Sequence, residues 1–210
     1  RIGKNCKIFP GAVISAVSQD LKYKGEETFV EIGDNSVIRE HATIHKGTID
    51  KVTTKVGSNC LIMTGVHLAH DCQVGNNVII ASNTGLAGHV IVEDHAIIEA
   101  HVGVQQFIRI GAHSFIGGMA GVTKNVPPYV RTTKSPSVYV GVNTVGLERR
   151  GFDKEVIRQI EDIYRIIYVR GLNVTNALAL IEKDIPDSAV RKQILDFIRS
   201  SANGIIKGPI

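Results

Sequence analysis

The sequence predicts an all-β solenoid, a parallel β-helix wound from six-residue repeats, with a C-terminal α-helical appendage. Three observations lead there. Aliphatic residues recur every six positions over most of the chain, glycine is abundant while Trp is absent, and the period changes to a helical one after Pro136.

The repeat comes first because it fixes the architecture. Val56, Ile62, Leu68, Val74, Ile80, Leu86, Val92, Ile98, Val104, Ile110, Ile116 and Val122 follow one another in steps of six, twelve aliphatic residues without an exception. The same phase appears earlier at Ile2, Ile8 and Ile14, and again at Ile32, Ile38 and Ile44. A helix would repeat its apolar face at three and four residues, so a period of six describes a short strand, a corner and a short strand, each anchor pointing inward. Three such units close an 18-residue triangular coil, and successive coils stack about 4.8 Å apart. With 21 glycines and 5% aromatics, the composition suits many tight corners and does not suit a core of large rings.

Two polar segments break the phase, Gln19 to Phe29 and Asp50 to Thr54, and each is expected to be an external loop. Loops extruded from a rigid scaffold commonly carry binding groups. The repeat is expected to stop at Val126-Pro127-Pro128, since two residues without a backbone N–H cannot continue a ladder. We divide the chain into residues 1–136, the β-helix, and residues 137–210, the helical domain. In the latter, Asp153 caps a helix that carries Val156, Ile160, Ile163, Tyr164 and Ile167 on one face and ends near Gly171. A second helix is expected from Asn176 to Lys183. A third follows Asp187, with Val190, Ile194, Phe197 and Ile198 at helical spacing. Arg1 is not an initiator Met and Ile2-Gly3 already lies in the repeat, so further sequence is expected upstream.

Bulk properties exclude several classes. No apolar run approaches the ~18 residues of a membrane span. The net charge of +4 is a mild surface excess that favours anionic partners. No Lys/Arg run is interleaved with aromatics, so nucleic acid is not expected. Three cysteines without a C-x-x-C pair fit a reducing compartment, and the bacterial cytoplasm is the expected location.

An 18-residue coil projects distant positions onto one wall. His70, Gly88 and Gln106 fall in one column, Asp71 and His89 in the next, and His67 lies three residues before His70. Imidazoles, a carboxylate, an amide and a glycine with its uncovered backbone N–H thus share one face, outside the column of core anchors. An imidazole is a usable base near neutral pH, and a glycine leaves its N–H open to a developing oxyanion. The other corner histidines, His41, His95, His101 and His113, are read as solvated surface.

The strings HLAHDCQVG from His67, LAGHV from Leu86, QQF from Gln105, VPPYV from Val126, ERRGF from Glu148 and SQDLKYKGE from Ser18 resemble the UDP-N-acetylglucosamine 3-O-acyltransferases, members of the hexapeptide-repeat acyltransferases. The resemblance covers nearly the whole chain. It implies a left-handed winding, where the general crossover rule alone would favour a right-handed one. It implies transfer of a 3-hydroxyacyl chain from acyl carrier protein to the sugar of UDP-N-acetylglucosamine, the first step of lipid A biosynthesis, by a homotrimer without cofactor or metal. By the same resemblance His70 is the general base, Asp71 its support and Gly88 the oxyanion donor. His67, His89, Gln105 and Gln106 contact donor or sugar, and Gly118 floors the acyl groove. Asp20 and Lys22 hold the sugar nucleotide, with Asn143, Arg149 and Arg150 near the uridine and phosphates. Gln105 stands where the family usually has His, and Val145 where many members have Glu.

Three other readings stay open on the residues alone. One is a zinc hydratase of the hexapeptide carbonic anhydrase type, with His ligands, and another a non-catalytic module that binds carrier protein. The third is a related transferase acting on a sugar amine. Acyl length and the choice between a 3-hydroxyl and a 3-amino acceptor are likewise undetermined.

Overall fold

Each repeat unit builds the same local structure. In the unit around Ile80, Asn77 turns the corner at φ 56°, Val78 points inward, Ile79 outward and Ile80 inward again. Asn, Asp and His tolerate left-handed backbone better than other non-glycine residues. The corners accordingly hold Asn5, Asn35, Asn59, Asp71, Asn77 and Asn83, together with His41, His89, His95, His101 and His113. Five of the chain's eight histidines therefore occupy positions that the backbone alone favours for them.

A computed structural model describes residues 1–208. The strands form three parallel walls of a triangular prism. The first wall has eight strands, from Lys7–Ile8 to Val138–Val142; the second has six, from Val13–Ala16 to Gly121–Val122; the third has five, from Phe29–Ile32 to Arg109–Ile110. The coil length expected from the sequence is the register observed: Ile79 pairs with Ile97, Gly85 with Gly103 and Ile91 with Arg109. The anchors Ile62, Leu68, Ile80, Leu86 and Ile98 are fully buried. A second inward tier lies two residues before each anchor, at Val66, Cys72, Val78, Thr84, Val90 and Ala96. Apart from Ile108, its residues are Val or smaller, since they point in at the narrow corners. Truncating an anchor, as in Leu68→Ala, costs about 2–5 kcal/mol.

Both insertions leave the prism at the corner between the second and third walls. The first occupies residues 17–28, between the strands Val13–Ala16 and Phe29–Ile32. The second occupies residues 46–52 and corrects the expected boundary, because Thr53 and Thr54 pair with Phe29 and Val30 in the third wall. Thr54 is fully buried, with its hydroxyl accepting the Asp71 N–H at 2.8 Å, so a polar run that reads as loop is strand where a specific partner awaits it.

The ladder also continues beyond the expected stop. Val126 bridges Ile110, and Val130–Thr133 pairs in parallel with Phe115–Ile116. Pro127 and Pro128 fill the intervening corner, where no ladder N–H is needed. The strand Val130–Thr133 then forms an antiparallel hairpin with Val138–Val142, across residue 136. Four helices follow: α1 (Thr144–Arg149), α2 (Lys154–Tyr168), α3 (Val174–Asp184) and α4 (Ala189–Arg199). They dock through specific ties: the buried Tyr164 hydroxyl donates to the Pro128 carbonyl at 2.6 Å, and the Arg109 guanidinium lies 3.7 Å over the Phe197 ring. No helix among the described residues is long and apolar enough to cross a membrane.

Candidate active site

The corner between the second and third walls, overhung by both loops, gathers most of the singled-out residues. Parallel pairing stacks Gly85 on His67, and the His89 N–H donates to the His70 carbonyl at 3.0 Å. One coil higher the Phe107 N–H donates to the Gly88 carbonyl at 3.2 Å, which sets Gln106 above Gly88. The columns expected from the 18-residue spacing are those formed.

Asp71 organises the corner. It sits at φ 62°, and its carboxylate accepts three bonds: from the Thr48 N–H at 2.8 Å, from the Thr48 hydroxyl at 2.6 Å and from His70 Nδ1 at 2.9 Å. Burial works to raise the Asp71 carboxyl, but the bonds from Thr48 and His70 outweigh it and hold the group below its ordinary range. An ionised Asp71 bound at Nδ1 presents His70 Nε2 as the free nitrogen. The His70 ring lies under Gly88, where any side-chain carbon would collide with Nε2 and Cε1. Gly88 is thus required by the imidazole beneath it, and among the described residues no acceptor takes its N–H. His70 is only 7% exposed, so this wall is less open than the column alone suggests.

The neighbouring imidazoles differ in their surroundings. His67 bonds Thr43 through Nδ1 at 2.7 Å and meets the His45 ring edge-on at 4.8 Å. Burial first, and then the charge of a neighbouring histidine, lowers both His45 and His67. Neither ring is oriented by a carboxylate. His89 Nε2 lies 3.5 Å from Asp71 Oδ2 and 3.8 Å from Asp50 Oδ2, and its ring stacks on Phe107 at 4.6 Å.

Beside His89 a pocket is lined by Asp20, Lys22, Thr48, Asp50, Gln106 and Phe107. Thr48, Asp50 and Phe107 were not singled out in the sequence. Phe107 had a visible signal: a large ring at a corner that takes Asn, Asp, His or Gly in most of the other coils. A groove lined by His67, His70, Gly85, Gly88, Gly103 and Gln105 runs along the second wall.

Ligand atoms of His70, Asp71 and His89 lie within 4.8 Å of one another, a spacing that a metal ion could use. The donor set speaks for orientation instead, since both Asp71 oxygens already accept from Thr48 and one also from His70.

The remaining residues lie elsewhere. Arg150 donates to the His95 carbonyl at 3.0 Å and Asn143 to the His113 carbonyl at 2.9 Å, both at the corner between the third and first walls. Arg149 is exposed at the end of α1. Gly118 is exposed at the corner between the first and second walls, beside Met119. No single corner of one chain therefore holds every predicted site residue. His95 and His113 are not solvated surface: their rings stack at 4.7 Å, Tyr129 and Phe152 pack on His113, and His113 Nδ1 is buried without a partner among the described residues. The helical tail covers this corner, which the repeat pattern alone leaves bare.

Residues 125–206 match the family model described as UDP-N-acetylglucosamine O-acyltransferase, domain 2, and residues 53–88 match the bacterial transferase hexapeptide repeat. The chain is 54% identical to an acyl-(acyl-carrier-protein)–UDP-N-acetylglucosamine O-acyltransferase of Chlorobaculum parvum, over 97% of this chain and 78% of the relative. Identity to the enzyme of that name from a Sulfurihydrogenibium species is 51%, over 95% of this chain and 74% of the relative. The crystal structure of a UDP-N-acetylglucosamine acyltransferase from Bacteroides fragilis superposes with a TM-score of 0.97 at 49% identity, covering 99% of this chain and 81% of that one. The fold is accordingly a left-handed parallel β-helix with C-terminal helices. On sequence, on fold and on the order of its motifs, the chain belongs to the acyl-(acyl-carrier-protein)–UDP-N-acetylglucosamine O-acyltransferase family.

Proposed function

We propose that this chain moves a 3-hydroxyacyl group from acyl carrier protein to the 3-position of the glucosamine ring of UDP-N-acetylglucosamine, the first step of lipid A biosynthesis, with His70 as the general base. The observation that carries the assignment is the Asp71–His70 pair at 2.9 Å beneath the open N–H of Gly88. His70 Nε2 takes the proton of the sugar hydroxyl as its oxygen attacks the thioester carbonyl. The Gly88 N–H donates to the oxyanion, and Asp71 stabilises the imidazolium. Collapse expels the carrier's thiolate, which recovers the proton from His70. Transfer is direct, since the nearest thiol, Cys72, is buried and pushed up to about 12.

Asp20, Lys22, His89 and Gln106 around the loop pocket suit a sugar nucleotide, and His67 and Gln105 the donor side. Asn143, Arg149 and Arg150 suit uridine and phosphates, through the planar fork of arginine. Because they stand at another corner from His70, we assign them to the site of a neighbouring copy in a homotrimer. A reducing bacterial cytoplasm suits the three free cysteines.

Replacing His70 by Ala is expected to lower kcat by about 10²–10⁴ with little change in acceptor KM, because the proton moves only in the transition state. Product measured by mass spectrometry from a folded variant decides this. A near-normal kcat would move the base to His67 or His89.

A further inference from the structure

The corner between the third and first walls changes character along its length. Asn35, Asn59, Asn77, His95, His113 and Tyr129 follow one another there, one per coil, at φ between 56° and 67°. The N–H of each donates to the carbonyl just before the same corner one coil below. Asparagine meets that backbone at three coils in a row, so the backbone alone does not account for the three rings above it. The rings stand where α1 lands. Tyr129, His113 and His95 lie nearly parallel, with centroids 5.6 and 4.7 Å apart and planes 14° and 10° from one another. Phe152, just beyond α1, meets the His113 ring at a steep angle, 5.0 Å away. The carbonyls of the same three residues take the polar groups at the two ends of α1. The Asn143 N–H donates to Tyr129 at 2.7 Å, the Asn143 side chain to His113 at 2.9 Å and the Arg150 guanidinium to His95 at 3.0 Å.

By itself α1 is too short to fix these two groups. It has six residues, less than two turns, and Asn143 at its N-cap makes no side-chain capping bond. A carbon added at Gly146 would collide with the Asn143 amide, so that side chain is held between the helix and the His113 carbonyl. Arg150 engages the Gly146 and His95 carbonyls with one N–H from each terminal nitrogen, which leaves its other N–H groups for an anion. His113 Nδ1 is buried without a partner among the described residues, so the imidazole contributes its flat faces and no hydrogen bond through that nitrogen.

We infer that His113 is a positioning residue for the acceptor: its ring, stacked between Tyr129 and His95, fixes the backbone carbonyls that hold Asn143 and Arg150 against the nucleotide. This rests on the reading of Asn143 and Arg150 as groups that bind uridine and phosphates. His113 acts through them, without touching the substrate itself.

The test uses His113→Asn, which takes the residue of the lower coils, keeps the corner's backbone and removes the ring. His113→Phe, which keeps a ring, stands beside it. Acceptor KM, carrier-thioester KM and kcat are measured for each, with binding of UDP alone by calorimetry and folding verified by thermal melting. His113→Asn is expected to raise acceptor KM and weaken UDP binding about tenfold, with kcat and thioester KM held within about twofold. His113→Phe is expected to return both toward the parent. A merely structural role would lower the melting temperature and leave acceptor KM alone. Phe152→Leu removes a ring from the same stack without touching the corner's backbone, so it gives the same split of KM from kcat even where His113→Asn does not fold. Parental acceptor KM and UDP affinity in folded His113→Asn would overturn the inference, as would an equal loss in His113→Phe. Arg150→Ala separates this from the reading beneath it. UDP bound as tightly by Arg150→Ala as by the parent would show that the arginine does not hold the nucleotide, and the inference would fall with that assignment.

Discussion

At the scale of single residues, the setting of His70 depends on what surrounds Asp71. Its two oxygens accept from Thr48 twice and from His70 once, so the charge is fully engaged though almost fully buried. Asp71→Asn keeps the size and tolerates φ 62°, but an amide cannot accept from Thr48 and His70 together. His70 would lose its orienting partner, and kcat is expected to fall by roughly 10²-fold or more with the fold retained. Steady-state kinetics beside thermal melting checks this, and an unchanged kcat would reduce Asp71 to a structural role. His70 and Asp71 were legible in the sequence because the repeat projects them beside Gly88 and His89. Thr48 was not, because it lies on an insertion whose path back to the corner follows no period. The histidines were over-legible. Left-handed corners favour imidazoles whatever the chemistry, so His41 and His101 stand with His89 in the sequence though no bond ties them to the Asp71 site.

At the scale of elements, the solenoid and its tail meet over a stack of His95, His113, Tyr129 and Phe152. Burial, and then the charges of His95 and Arg150, push the His113 imidazole down to about 4, against about 6.5 in an unfolded chain. The unfolded chain thus binds a proton that the folded one refuses. Stability from this group is full above about pH 6.5 and is lost as pH falls toward 4. His113→Phe keeps a ring in the stack and should flatten the fall in melting temperature across that window. It does so only in part, since His45 and His67 are depressed in the same direction. Melting curves between pH 4 and 7 test the point, and parallel curves for parent and variant would refute it. Helices α2, α3 and α4 were legible from their apolar spacing. The hairpin and α1 were not: the hairpin's strands read as a continuation of irregular sequence past Pro127-Pro128, and α1 has only six residues, too few for a period.

At the scale of the whole molecule, three corners carry three sets of groups. The base and its loops occupy one, Asn143 and Arg150 another, and Gly118 the third. One sugar nucleotide reaches both His70 and Arg150 only where two copies of the chain place different corners together, as a cyclic trimer does at each boundary. Mixed trimers test this most directly. His70→Ala and Arg150→Ala chains, each poorly active alone at limiting acceptor, would be unfolded together, refolded and assayed at that acceptor concentration. If each site takes its base from one chain and its arginine from the next, about a quarter of parental turnover returns in an equal mixture, the fraction of boundaries with both groups intact. Mixed trimers that stay as inactive as the separate variants would contradict the composite site and the assignment of His70 and Arg150 to one reaction.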